Sequence, residues 1–187
     1  MDKTKQKIIQ VAMHMIAEQG YKSTTTSAIA KRAGVSEVTI FRKFGNKKGI
    51  VVEAFQETKW YAQLGETLED KCTGDPAYDL KAYAKAYIDL FSDYSVRCML
   101  NLSREGFLEL QDVIQKVPQN LINPLKNYFQ KMQDEGKLRK GDATWQAKNF
   151  ITSLFGMVIS ETIWEDMAQD QKEREEYLSN LIALYLN

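Results

Sequence analysis

Most of what this chain of 187 residues lacks is the equipment of enzymes, exported proteins and membrane proteins. His14 is its only imidazole, and helical spacing turns it to the polar side of the first helix, so no Ser/His/Asp set forms around it. No phosphate loop and no metal-ligand spacing occurs, so neither a cofactor nor a metal is expected. Glu161, Glu165 and Asp166 gather acids near a helix end, but with no histidine beside them they read as surface. The two cysteines, Cys72 and Cys98, have no cysteine or histidine partner at ligand spacing, which implies ordinary reduced thiols in the cytoplasm. The N-terminus interleaves apolar and polar residues where a signal peptide would carry an unbroken apolar stretch. No apolar run reaches the ~20 residues a bilayer needs, so no membrane partner is expected.

Ten glycines and three prolines leave few interruptions, and no strand-like alternation, repeat or low-complexity tract appears. With 44% hydrophobic residues the composition suits an all-α globular protein. A net charge of zero hides an asymmetry. Residues 1–48 hold ten Lys/Arg against three Asp/Glu, a net of +7, whereas residues 49–187 hold fifteen against twenty-two, a net of −7. A small phosphate-binding head on an acidic body would have this pattern. The expected division is therefore a DNA-binding domain over 1–48 and a helical body over 49–187.

About nine helices are expected. Ile8, Ala12, Met15, Ile16 and Gln19 share one face of the first, over Lys3 to Gln19, which Gly20 ends. The second starts near Thr24–Ser27 and runs to Ala33, the third covers Glu37 to Phe44, and Asn46 caps a fourth that continues to about Leu64. Further helices run through Leu80 to Leu90, from Ser95 to about Leu110, from the Pro118/Pro124 region through Met132, from an Asp142 cap through Trp164, and from Gln171 to Leu186.

Residues 25–48 carry the strongest signal. Ile29, Ala30, Ala33, Val35, Ile40 and Phe44 would bury one side of a helical hairpin, Gly34 suits a turn needing positive φ, and Ser36 suits the next N-cap. This is the pattern of a helix-turn-helix, whose second helix enters the major groove. The stretch resembles the N-terminal domain of the TetR family of bacterial regulators, at Thr24–Thr25, Ile29–Ala30, Ala33–Gly34–Val35–Ser36, Thr39–Ile40–Phe41, Phe44 and Asn46–Lys47. Thr25, Thr26 and Ser27 lie at a helix N-terminus, where hydroxyls and free N–H groups suit a phosphate oxygen. Val38, Thr39, Arg42 and Lys43 face outward; Arg42 suits guanine, and Val38 or the Thr39 methyl suits a thymine methyl. Glu37 either accepts from cytosine or serves as a favourable first-turn charge. The resemblance implies a phosphate contact by Lys47. Phe41 replaces the family's usual tyrosine, keeping the ring and losing a hydroxyl for phosphate.

The body is less specific. Trp60, Tyr61, Tyr83, Tyr87 and Phe91 on one stretch, and Met99, Phe107, Phe129, Met132 and Trp145 on the next, are either ordinary core or the lining of the inducer cavity that the resemblance implies. No basic cluster accompanies them, which favours an apolar or aromatic inducer. Leu154, Phe155, Gly156, Val158, Ile159 and Ile163 make the long helix apolar nearly all round, so it needs cover on several sides. The resemblance implies a homodimer through the two C-terminal helices; closure of a monomeric core is the other reading. The expectation is a non-enzymatic, ligand-responsive repressor that binds a palindromic double-stranded operator, with a DNA-binding regulator lacking a small ligand as the alternative.

Overall fold

The computed structural model describes residues 2–57, 60–69, 71–90, 93–114, 117–164 and 170–187. Among them are eleven helices: α1 Lys3–Gln19, α2 Thr26–Ala33, α3 Glu37–Phe44, α4 Lys47–Glu57, α5 Trp60–Glu69, α6 Pro76–Leu90, α7 Asp93–Glu105, α8 Phe107–Ile114, α9 Val117–Asp134, α10 Ala143–Ile163 and α11 Gln171–Ala183. The excess over nine arises where single helices were expected: 47–64 holds α4 and α5, and 95–110 holds α7 and α8. Gly106 divides α7 from α8, at a point where a Cβ would lie 3.2 Å from the Leu102 carbonyl and 2.9 Å from Leu110 Cδ1. Helix α9 begins before Pro118 and holds Pro124 within it. A proline in the first turn costs no helical hydrogen bond, because those N–H groups have no partner in any case. The chain's end leaves α11 at Ala183 and pairs Leu186 with Leu138 in one antiparallel bridge.

Local chemistry accounts for the first helices. Asp2 caps α1 by accepting from Thr4 N at 2.9 Å, and Thr25 caps α2 by accepting from Ala28 N at 3.2 Å. Gly34 closes α2 in the left-handed conformation, φ +68°, while Val35 N donates to Ala30 O at 3.0 Å. That closure needs a residue without a Cβ penalty at positive φ. Ser36 caps α3, accepting from Thr39 N at 3.2 Å, and Asn46 caps α4, accepting from Gly49 N at 2.9 Å.

Packing divides the chain into two compact units. One is residues 1–59 with 93–116; the other is 60–92 with 117–187. Helix α4 therefore lies with the helix-turn-helix, where the sequence had put a boundary after residue 48, and α7 and α8 join it from the middle of the chain. The first unit has two apolar clusters. Ile8, Ala12, Met15, Ile29, Ala33, Ile40 and Ile50 close α1 to α4 on one another. Ile16, Tyr21, Val51, Cys98, Leu102 and Leu110 bind α7 and α8 to α1 and α4. Burial pushes the Cys98 thiol up to about 12, so it is an inert core sulfur.

In the second unit an aromatic cluster forms the core. Phe129 meets Tyr185 at 5.1 Å and Phe150 at 6.2 Å, edge to face, and Tyr83 lies 6.5 Å from Phe150. Asp79, almost wholly buried, accepts from Thr73 N and Oγ1 and from Tyr128 Oη, each at 2.8 Å, and from Gly74 N at 3.0 Å. Burial opposes its ionisation, yet these donors outweigh burial and hold its carboxyl below the usual carboxylate range.

Candidate nucleic-acid interface

The α2–turn–α3 hairpin presents one face to its core and the other to solvent. Ile40 points inward and is fully buried, while Val38 is 74% and Phe41 50% exposed on the opposite side. Arg42 is exposed beside them and has no ion-pair or hydrogen-bond partner among the described residues, so its guanidinium is available for bidentate recognition. Thr39 is half-buried, its Oγ1 lying 2.9 Å from Ser36 Oγ. Glu37 accepts from Thr26 Oγ1 at 2.6 Å, tying the first turn of α3 to the first turn of α2. That bond favours the structural role for Glu37 over cytosine recognition and occupies one of the hydroxyls expected to meet phosphate. Thr25 spends its oxygen on the α2 cap, and Ser27 is exposed.

Two expected cations are engaged within the unit. Lys43 forms an ion pair with Asp2, the α1 cap, and this contact, with Thr4 N, draws the Asp2 carboxyl down to about 2. Lys47 Nζ donates to the Tyr21 carbonyl at 2.5 Å and sits 4.0 Å from the Tyr21 ring centroid. Burial lowers its pKa, against the raising influence of Glu109 and Glu105. Neither pairing was legible beforehand, since each partner is remote in sequence. Tyr21, Asn46, Lys47, Lys48, Leu108 and Glu109 line an open cleft of about 410 Å³ at the start of α4.

The residues expected around an inducer fall into four groups. Tyr83, Tyr87, Phe129 and Met132 are buried in the second unit, where Tyr83 and Phe129 join the aromatic cluster. Trp145 is not among them: it is 61% exposed in the first turn of α10, under the Lys148 ammonium at 4.6 Å. The Asp142 cap accepts from Trp145 N at 3.0 Å, and helical phase sets the Trp145 side chain opposite the buried Ala143 and Ala147. Met99 is half-buried on α7 in the first unit. Phe91 and the side chains of Trp60, Tyr61 and Phe107 lie outside the described residues, as do Glu165 and Asp166 of the acidic cluster. Glu161, their neighbour, takes both oxygens to Arg174, at 3.0 and 2.9 Å.

A capped two-helix hairpin with an apolar and guanidinium face turned to solvent is the reading head of a DNA-binding transcriptional regulator. Residues 8–54 match the family described as bacterial regulatory proteins, tetR family, and residues 79–187 match the C-terminal domain of AefR-like transcriptional repressors. The chain belongs to the TetR family, whose members are DNA-binding transcriptional regulators and not enzymes.

Among its relatives is the HTH-type transcriptional regulator YvkB of Bacillus subtilis, 29% identical over 100% of this chain and 97% of the relative. The fatty acid metabolism regulator protein of the same organism is 30% identical over 94% of this chain and 89% of its own. Among solved structures, NalD of Pseudomonas aeruginosa, the secondary repressor of the MexAB-OprM multidrug efflux pump, superposes with a TM-score of 0.80 at 19% identity, over 100% of this chain and 99% of that one. The FadR regulator of Bacillus subtilis, in complex with stearoyl-CoA, also gives 0.80, at 24% identity over 95% and 96% of the two chains. Among the described residues no helix is long and apolar enough to cross a membrane.

Proposed function

We propose that the protein is a homodimeric repressor that reads a palindromic operator through α3 and is released by a small, largely apolar molecule. The carrying observation is the outer face of α3, where Val38, Phe41 and Arg42, without a partner among the described residues, stand exposed on a hairpin closed by its own caps. The match of 79–187 to AefR-like repressors supports repression over activation. Stearoyl-CoA on FadR and triclosan on SmeT are ligands with large apolar parts, which supports an apolar inducer; a lipid-derived acyl compound is the first to try, given the fatty acid regulator among the relatives.

Support for the dimer lies on α10. Phe155, Ile163 and Trp164 are exposed, and a Cβ on Gly156 would meet nothing within 4 Å, so this face is open to a second copy. Val158 and Leu181 are 5% and 7% exposed within the subunit itself, so they serve its core and are poor probes of assembly. The aromatic closure of Tyr83, Phe129, Phe150 and Tyr185 is the one observation that favours the second reading, a regulator without a small ligand. The test is selection of bound genomic fragments followed by gel-shift titration with acyl compounds. Palindromic half-sites and release by such a compound support the proposal; fragments with no two-fold symmetry would sink it.

A further inference from the structure

The junction of α7 and α8 grips the loop between α1 and α2 by a reciprocal fit. Glu105 lies under Gly20, where a Cβ would meet its Oε2 at 2.6 Å, and Tyr21 lies against Gly106, where a Cβ would meet its Cδ1 at 3.1 Å. Each side chain thus occupies space that only the other side's glycine leaves open. Hydrogen bonds fasten the fit: Lys22 N donates to Glu105 Oε2 at 3.0 Å, and Tyr21 Oη donates to Glu109 Oε2 at 2.7 Å. Asn101 on α7 donates to Ile16 O at 3.0 Å, taking up a carbonyl from the last turn of α1. Lys47 completes the arrangement, with its ammonium on the Tyr21 carbonyl and ring and within the field of both glutamates.

We infer that Glu105 and Glu109 form a clasp that restrains DNA binding, holding the Lys47 ammonium inward, on Tyr21, against the pull of the DNA backbone. The inference rests on reading Lys47 as a phosphate contact. DNA phosphates and the two carboxylates compete for one cation, and the carboxylates also repel the duplex. A cation already held on the protein's own carbonyl and ring, in the field of two carboxylates, releases less than a full counterion from DNA, so the clasp lowers both affinity and salt dependence. Opening the α7–α8 junction would free Lys47, which makes these glutamates positioning residues.

Glu109 is exposed, so Glu109→Gln removes charge with little risk to the fold, and Glu105→Gln keeps an oxygen for Lys22 N. Binding of the full-length protein to a labelled duplex of random sequence is followed by fluorescence anisotropy through a salt series, with circular dichroism melts as the folding control. Glu109→Gln is expected to tighten low-salt binding on the order of 3- to 10-fold and to steepen the salt slope by up to about one unit. Glu105→Gln should act in the same direction. In a Lys47→Ala background the gain from Glu109→Gln should fall below about two-fold, because the cation it releases is gone. Unchanged or weaker binding by Glu109→Gln, or the same gain without Lys47, overturns the clasp. Arg42→Ala on a selected operator separates the two failures. If it weakens binding while Glu109→Gln does nothing, only the clasp is wrong; if wild type binds no duplex, the DNA-binding assignment beneath it fails.

Discussion

Two helical hairpins in this molecule close by opposite means. The α2–α3 pair is closed within itself: Thr25 and Ser36 each accept from the backbone N–H three residues ahead, and Gly34 ends α2 where Val35 N returns to Ala30 O. The α9–α10 pair is closed by the chain's other end. Arg139 N donates to Tyr185 O at 2.9 Å, Arg139 Nε to Leu186 O at 2.7 Å, and Asn187 Nδ2 to Gly136 O at 2.6 Å. Tyr185 then fills the space between Phe129 and Phe150. The outer faces differ as well. Helix α3 mixes exposed apolar groups with the exposed Arg42 guanidinium, whereas the exposed residues of α10 around Phe155 and Ile163, Thr152 and Gly156 among them, carry no charge. Apolar exposure beside free positive charge suits a polyanion with methyl groups in its groove; apolar exposure alone suits a second copy of the same surface.

The largest break in this comparison should come from the tail. Tyr185→Ala removes a buried ring and is expected to cost about 3–5 kcal/mol in urea or thermal unfolding. A cost under about 1 kcal/mol would mean that the α9–α10 hairpin closes as locally as the other.

Next is assembly. Phe155→Glu places a charge in the open apolar face of α10 and should weaken self-association by about 2 kcal/mol or more, read by sedimentation equilibrium, while the monomer stays folded. Wild-type protein that sediments as a monomer at micromolar concentration would remove the ground for distinguishing the two faces in this way.

Arg42→Ala should weaken operator binding by about 1–3 kcal/mol and relax preference at one base pair in each half-site. Equal losses on specific and random duplexes would make Arg42 a phosphate contact instead. Ser36→Ala sharpens the other side of the comparison, since the cap is the local device that starts α3. It should cost about 1 kcal/mol of stability, with a smaller effect on any measure of the second unit. An effect several times larger would show that the hairpin depends on more than its own caps.

Reading the sequence went furthest where the determinants are close together in the chain. The caps Ser36, Asn46 and Asp142 and the stop at Gly34 stand where spacing placed them. The buried face of Ile29, Ala33 and Ile40 and the exposed face of Val38 and Arg42 follow from one helical period. Partners remote in sequence were out of its reach: Lys43 and Lys47 carry the charge expected of phosphate contacts, and only the folded chain shows that Asp2 and the Tyr21 carbonyl, 41 and 26 residues away, engage them. Trp145 has a cavity residue's composition and a surface residue's position.

By itself the sequence determined an all-α chain with a basic helix-turn-helix head, because helical period, capping and charge act over a few residues; the regulator family came in as a resemblance of residues 24–47, which the match of 8–54 and 79–187 established. Tertiary structure alone decided that α7 and α8 belong with the head, that Tyr21 and Glu109 meet across 88 residues, and which aromatics become core. Those outcomes depend on which surfaces bury one another. Burial is a property of the assembled helices, and no local window of the chain contains it.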